Sequence, residues 1–369
     1  MSKITLTALA QTLPSTVPFV GPETQERALG KKFKARLGAN ESLFGPSPKA
    51  ILAMEQAVAD IWQYGDPENY DLRNALARHH DIDPTHIIIG EGIDGLLSYL
   101  VRLLVDPGTP IVTSHGAYPT FNFHAVGYGG VLHTVPYKND HEDPQALITE
   151  VSEVGAKLIY FANPDNPMGT WHSAKTVQDL MDNIPQEALL VLDEAYVEMA
   201  PKGTAPPLNP ETENVIRMRT FSKAYGMAGA RVGYAIGPKE LIKSFDKVRN
   251  HFGVSRISQI GALAALADPE HLANVQKQIS VSRNRLYQIA RENGLSSLPS
   301  AANFVSIDCG KDGNFARKVL ENLVANSVFI RMSTIAPMDR CIRVSCGDSE
   351  AIHAFEKALP MALQAAASS

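Results

Sequence analysis

Through the first two thirds of the chain, short apolar, β-rich runs alternate with stretches of helical spacing. The runs His86–Gly90, Pro110–Ser114, Val131–Tyr137, Lys157–Asn163, Leu189–Tyr196, Val215–Ser222 and Arg231–Gly237 predict strands. Helical patterns lie between several of them, as at Leu96–Val105 and Ala174–Asn183. Such alternation predicts an α/β fold, a mostly parallel sheet covered by helices. After Pro238 the pattern changes. Helical stretches near Lys239–His251, Ile257–Ala267 and His271–Asn293 precede short strands at Phe304–Asp308, Val328–Met332 and Cys341–Ser345. A closing helix is expected near Asp348–Leu363, which makes a smaller α+β unit. Residues 1–45 have weak periodicity and several Pro and Gly, and read as an arm lying across a body. The expected division is an arm over 1–45, a large domain over 46–250 and a small domain over 251–369.

Composition narrows the function. Hydrophobic residues make up 44% of the 369 and charged ones 20%, near the norm for a globular protein. The net charge is −5, with no long basic block, so a nucleic-acid partner is not expected. No apolar run approaches the roughly 18 residues of a membrane span, and residues 1–23 have no signal-like core. The expectation is a cytoplasmic protein with no membrane partner. The three cysteines, Cys309, Cys341 and Cys346, are wrongly spaced for redox or zinc motifs and read as buried free thiols. His79-His80 has no HExxH or second cluster beside it and reads as a solvated helix face, so no metal is expected.

Gly90-Glu91-Gly92-Ile93-Asp94-Gly95 satisfies GxGxxG between a strand and a helix. A dinucleotide fold would add an acidic residue roughly 20 positions on, ending the next strand. That strand ends instead in Thr113-Ser114-His115-Gly116. A dehydrogenase is therefore not the reading. The physics of the turn survives: a glycine-rich entry to a helix offers free N–H groups and a positive dipole end to a phosphate. No GxxxxGK[ST] loop or GxSxG elbow accompanies it.

The most informative stretch is Val191–Gly233. One apolar run ends in Asp193 with Tyr196 close behind, and another leads into Thr220-Phe221-Ser222-Lys223, with Arg231 eight residues later. Strand ends are where open α/β sheets place ligands. A lysine must lose its proton to attack an aldehyde, and burial with a nearby cation favours the neutral amine. Asp193 closes a very apolar strand and needs a cationic partner to stay charged. Amine, acid and phosphate-binding arginine together suit a phosphorylated aldehyde with a basic ring nitrogen, pyridoxal phosphate. Asn163-Pro164-Asp165-Asn166-Pro167-Met168-Gly169 predicts a tight turn, one strand before Asp193, that brings Asn166 to the same edge.

With these motifs in view, the chain resembles the fold-type-I pyridoxal-phosphate aminotransferases of class I/II, and among them the histidinol-phosphate aminotransferases. The resemblance runs through ANESLFGPSP, YGDPENYDLRNALA, NPDNPMGT, LDEAY, TFSKAYGMAGARVGY and FIRMSTIAPMDRCIRVSCG. It implies a large, mainly parallel seven-stranded domain with helices on both faces, plus a smaller α+β domain. It implies that Lys223 bonds covalently to the cofactor and that Asp193 pairs with its ring nitrogen. Tyr196 and Asn166 would hydrogen-bond the phenolic oxygen, and Tyr118 would stack on the ring. Gly92, Ile93, Asp94, Ser222 and Arg231 would hold the phosphate, with Tyr64 reaching it from the neighbouring subunit of a homodimer. Arg343 would grip the substrate carboxylate, Arg331 a distal phosphate, and Asn40 would also meet the substrate.

Two departures stand out. Pro18-Phe19 replaces a Pro-Tyr of the family, removing a phenol that helps hold the substrate phosphate. Gly95 replaces an acidic residue at the helix start. The reaction implied is transfer of an amino group from an amino acid or amino alcohol phosphate to a 2-oxo acid, with 2-oxoglutarate the expected acceptor. The freed Lys223 amine would act as general base. An aromatic amino acid aminotransferase, a decarboxylase resembling threonine-phosphate decarboxylase and a racemase share the same lysine chemistry. A cofactor-dependent regulatory module would be expected to carry a basic helix-turn-helix segment, and the chain has none.

Overall fold

A computed structural model describes residues 4–15 and 20–368. Seven strands form one sheet in the order Ile87–Gly90, Gly233–Ile236, Val215–Thr220, Leu189–Asp193, Leu158–Ala162, Pro110–Ser114, Val131–Val135. The five from Val215–Thr220 to Val131–Val135 run parallel, and the two at the other edge pair antiparallel. The mainly parallel seven-stranded α/β sheet is as expected. Successive side chains on a strand face opposite ways. Leu158, Tyr160, Leu189 and Val191 therefore enter one core, and Ile159, Phe161, Leu190 and Leu192 another on the opposite face. Covering both faces with helices is what lets these strands be apolar throughout. The sheet-edge strand Val131–Val135 is partly exposed, and its alternation is correspondingly weak.

Several predicted strands end early. The Leu189–Tyr196 run is a strand only to Asp193, and Val215–Ser222 only to Thr220. Tyr196, Ser222 and Lys223 thus lie in the turns beyond the sheet. The predicted strand Val328–Met332 is two strands. Val328–Phe329 pairs with Ala35–Arg36 in parallel, while Arg331–Met332 joins a second sheet with Cys341–Ser345, Phe304–Asp308 and Ser296–Ser297. The chain shifts from one pairing to the other at Ile330. Residues 35–37 of the arm are therefore tied to the C-terminal part: Leu37 donates to Phe329 O, and Ser345 donates to Leu37 O.

The helix expected over Lys239–His251 closes at Ser244 and continues as a single tight turn, Phe245–Lys247. Helix Arg256–Leu266 packs on helices Pro48–Ala57 and Tyr70–His80, sharing a core with Ile87, Ile89 and Tyr234. Its packing thus lies with the large sheet, although sequence order puts it beyond the 250/251 division. The final helix runs from Ser349 to Ser368 with Pro360 inside it. Cys309, Cys341 and Cys346 are buried free thiols. His79 is exposed, but His80 packs on Tyr234, its Nε2 lying 2.9 Å from the phenol oxygen. Among the described residues, no helix is long and apolar enough to cross a membrane.

Candidate active site

Strand register assembles the site. Ala162 lies beside Asp193, and Asp193 beside Met218, so the turns after three neighbouring parallel strands open at one edge. The first turn carries Asn166, the second Asp193 and Tyr196, the third Ser222 and Lys223. They border a cavity of about 960 Å³ that reaches Tyr118, Arg231 and Arg343. The Asn166 turn is wound around Asp165, whose backbone N–H donates to Thr170 O and whose carboxylate accepts from Met168 N. The tight turn after Lys223 has Gly226 at φ +68, where a Cβ would come within 2.3 Å of Gly45 O. Only glycine fits there, and it seats the lysine loop against the end of the arm.

Lys223 Nζ donates to Asn40 O at 3.2 Å and lies 5.7 Å from the Tyr196 ring centre. Burial first, then the charges of Arg343 and Arg231, lowers its pKa to about 8. The neutral amine is therefore within reach near neutral pH. Asp193 is 5% exposed. Its carboxylate accepts from Tyr160 OH at 2.6 Å and from Ala195 N at 2.9 Å. Burial raises its pKa to about 6, against the pull of these two neutral donors. A buried carboxylate so placed is best stabilised by a cation brought from outside, as a protonated ring nitrogen would be.

Helix Gly92–Leu104 begins at Glu91, whose side chain makes no cap hydrogen bond. The helix start thus lacks a side-chain cap, and its residues Ile93 and Asp94 border the cavity. A Cβ on Gly92 would lie 2.6 Å from Arg231 Nη2. The guanidinium also donates to Ser222 Oγ at 3.3 Å and to Ala228 O at 3.0 Å. Arg231 itself sits at φ +52, a left-handed conformation that costs a non-glycine residue about 1 kcal/mol or more. Helix start, hydroxyl and guanidinium form a cradle for a phosphate. Tyr118 OH donates to Asp94 at 3.1 Å, which holds the ring over one side of the cavity. The chain's own residues therefore fit pyridoxal phosphate at both its ends, ring nitrogen and phosphate.

Opposite lie the groups expected to meet substrate. Tyr196 OH accepts from Asn40 Nδ2 at 3.1 Å and Asn166 Nδ2 at 3.3 Å, leaving its own proton free to donate. Burial pushes that phenol up to about 12, so it stays protonated. Asn40 is 2% exposed and also accepts from Ser345 Oγ. Its carboxamide is thus spent on Tyr196 and Ser345, and its carbonyl on Lys223. Arg343 donates to Asn166 Oδ1 and Gly38 O, and its buried Nε finds no partner among the described residues. Burial, with Arg331's charge adding to it, lowers its pKa. Arg331 faces Arg343 directly across the strand pair and donates to Val20 O at 3.1 Å. Val20 and Gln25, from the N-terminal segment, also border the cavity.

Tyr64 stands apart from this cavity, 80% exposed and packed on Phe252 with ring centres 4.9 Å apart. Phe19 lies outside the described residues. Three participants escaped sequence reasoning: Tyr160 on Asp193, Asn303, which donates to Asn40 O at 3.0 Å, and Ser345. Tyr160 had a usable signal, since a tyrosine in a wholly buried strand must spend its hydroxyl on a neighbour. The other two carry no local pattern.

The model of the family described as aminotransferase class I and II matches residues 33–359. The chain belongs to that family. It is a pyridoxal-phosphate-dependent transaminase. The curated histidinol-phosphate aminotransferase 2 of Carboxydothermus hydrogenoformans is 34% identical over 358 residues, covering 96% of this chain and 98% of that one. Among solved structures, the histidinol-phosphate aminotransferase of Sinorhizobium meliloti, in complex with pyridoxal-5'-phosphate, is 51% identical. It covers 97% of each chain with a TM-score of 0.95. Aspartate aminotransferase from Thermus thermophilus, at 22% identity and a TM-score of 0.78 over 96% of this chain and 100% of that one, shares the transaminase fold.

Proposed function

We propose that this transaminase takes histidinol phosphate as amino donor and 2-oxoglutarate as acceptor. One observation carries the choice. Arg331 and Arg343 are direct cross-strand partners, and like charges placed so repel. Both border the cavity that holds Lys223, and among the described residues Arg343 carries an unpartnered buried N–H. An anion bridging the two guanidiniums would relieve both costs, and a phosphate on the donor or the distal carboxylate of the acceptor supplies one. The names of the Sinorhizobium and Carboxydothermus relatives agree with this reading.

Roles follow from the geometry. Lys223 would carry the cofactor, with Asp193 on its ring nitrogen, Tyr196 and Asn166 on its phenolic oxygen and Tyr118 against its ring. Gly92, Ile93, Asp94, Ser222 and Arg231 would hold its phosphate. When bound, pyridoxal phosphate supplies a carbonyl carbon for the amine and a ring that accepts the electron pair left at Cα. Asp193, steadied by Tyr160 and Ala195, would pair as a carboxylate with the protonated ring nitrogen. Once free, Lys223 Nζ would take the proton from the substrate's Cα and deliver it to the carbon that was the cofactor's aldehyde, acting as general base and then acid. Asn40 keeps that amine and the Tyr196 phenol in line, and serves substrate through them. We further propose a cytoplasmic homodimer in which Tyr64 reaches the partner's cofactor phosphate, with an arm over 1–45, a large domain over 46–250 to which helix Arg256–Leu266 also packs, and a small domain formed by the rest of 251–369.

The test is a half-reaction. Holoenzyme is mixed with histidinol phosphate, phenylalanine or glutamate, and the cofactor's absorbance is followed. Full conversion by histidinol phosphate at micromolar levels, reversed by 2-oxoglutarate, is the expected outcome. Faster conversion by phenylalanine would instead assign an aromatic amino acid transaminase.

A further inference from the structure

The cavity wall carries cations in excess: Lys223, Arg231, Arg331 and Arg343. Two carboxylates stand near them on the same wall, apart from Asp193. Asp94 is engaged, accepting from Tyr118 and lying 3.9 Å from Arg231. Glu41 is not. It is only partly exposed, borders the cavity, and its charge acts on both Lys223 and Arg331. Among the described residues its carboxylate takes no hydrogen bond and no ion pair, although its backbone carbonyl accepts from Asn303. Its backbone is also firmly placed. The preceding Asn40, at φ +55, is tied to Ser345, Tyr196, Lys223 and Asn303.

A carboxylate without a protein partner keeps its water while the cavity is open. A bound ligand that displaces this water must offer a donor in return, or the site pays for a stripped charge. The two co-substrates differ in what they can offer. A 2-oxo diacid has acceptors at both ends and no N–H. An amino donor with a basic ring brings an N–H donor in either protonation state and a positive charge below a pKa of about 6.5.

Resting on the functional reading above, we propose that Glu41 is a specificity-determining residue: its carboxylate receives the ring N–H of the amino donor and disfavours the acceptor's distal carboxylate. The same cavity then treats its two substrates in opposite senses. Arg331 and Arg343 attract the anion that both carry, and Glu41 attracts only the donor.

The decisive measurement compares wild-type and Glu41→Gln holoenzyme in the steady state, with KM determined separately for histidinol phosphate and 2-oxoglutarate. Glutamine keeps the shape and removes the charge. The expected result is a rise of about tenfold or more in KM for histidinol phosphate, in keeping with the loss of one charge-assisted hydrogen bond. The KM for 2-oxoglutarate should fall or stay as it was. The loss should also be larger at pH 6 than at pH 8, because the ring is charged only at the lower pH. A parallel rise for both substrates, or no rise for histidinol phosphate, overturns the proposal. If the wild-type enzyme does not turn over histidinol phosphate at all, the functional reading fails on its own. Glu41 is then judged by histidine against phenylalanine in the half-reaction. A loss confined to histidine upholds its role, and equal losses or none reject it.

Discussion

Lys223 combines two properties that seldom go together, partial burial and an amine that must react. Its pKa, lowered from 10.5 to about 8, comes first from lost hydration and then from two guanidiniums. The sign follows directly. Below about 8 the folded and unfolded chains both hold the proton. Between about 8 and 10.5 the folded chain holds fewer, so this group's contribution to stability rises with pH across that window. Reactivity has the same sign. Apoprotein mixed with pyridoxal phosphate should regain cofactor absorbance at a rate that climbs with pH and levels off above about 8. A rate still climbing toward pH 10 would mean an ordinary, solvated lysine. At this scale much was legible. A lysine among apolar and hydroxyl neighbours, and an aspartate ending ALLVLD, declare burial by their context alone. The larger influence of Arg343 on Lys223 was not legible, because more than a hundred residues separate them in the chain.

At the scale of elements, the strand pair Arg331–Met332 and Cys341–Ser345 holds two arginines face to face. Like charges directly opposite destabilise a sheet by a few tenths to about 1 kcal/mol. Arg331→Ala apoprotein should therefore lose little thermal stability, the relieved repulsion offsetting the lost hydrogen bond to Val20 O. In the same variant, KM for the phosphorylated donor should rise about tenfold or more as one charged contact is lost. A fall in melting temperature of several degrees without a KM change would make Arg331 a structural residue only. The predicted run Val328–Met332 hid this arrangement. Periodicity marks a segment as extended but does not say which partner each half takes, and here the pairing changes at Ile330. Short strands such as Ala35–Arg36 and Ser296–Ser297 were equally unreadable, being set by their partners rather than by propensity.

Over the whole molecule, exposed apolar side chains cluster along residues 61–70, at Ile61, Trp62, Tyr64 and Tyr70, and Tyr64 packs on the exposed Phe252. A patch of this kind is the mark of an interface. If a second copy covers it, Trp62→Asp should halve the mass measured by light scattering and loosen cofactor retention, since Tyr64 would no longer reach a neighbour. A variant that remains dimeric and fully loaded would separate this face from the assembly. The arm illustrates the same scale. Its sequence has little pattern, yet its residues 35–37 are stitched to the C-terminal sheet and Val20 closes on Arg331.

What the sequence determined by itself is local chemistry: which runs become buried strands, which turns are tight, and that a lysine, an acid and an anion-binding helix start end at one sheet edge. Strand propensity, glycine turns and burial act over a few residues, so they are written where they act. The tertiary structure alone decided what meets across long separations. It set Tyr160 beneath Asp193, Asn40 between Lys223 and Tyr196 and Arg331 against Arg343, and it left the Glu41 carboxylate at the cavity without a hydrogen bond or ion pair among the described residues. Those encounters depend on register and packing among distant elements, and no spacing along the chain encodes them.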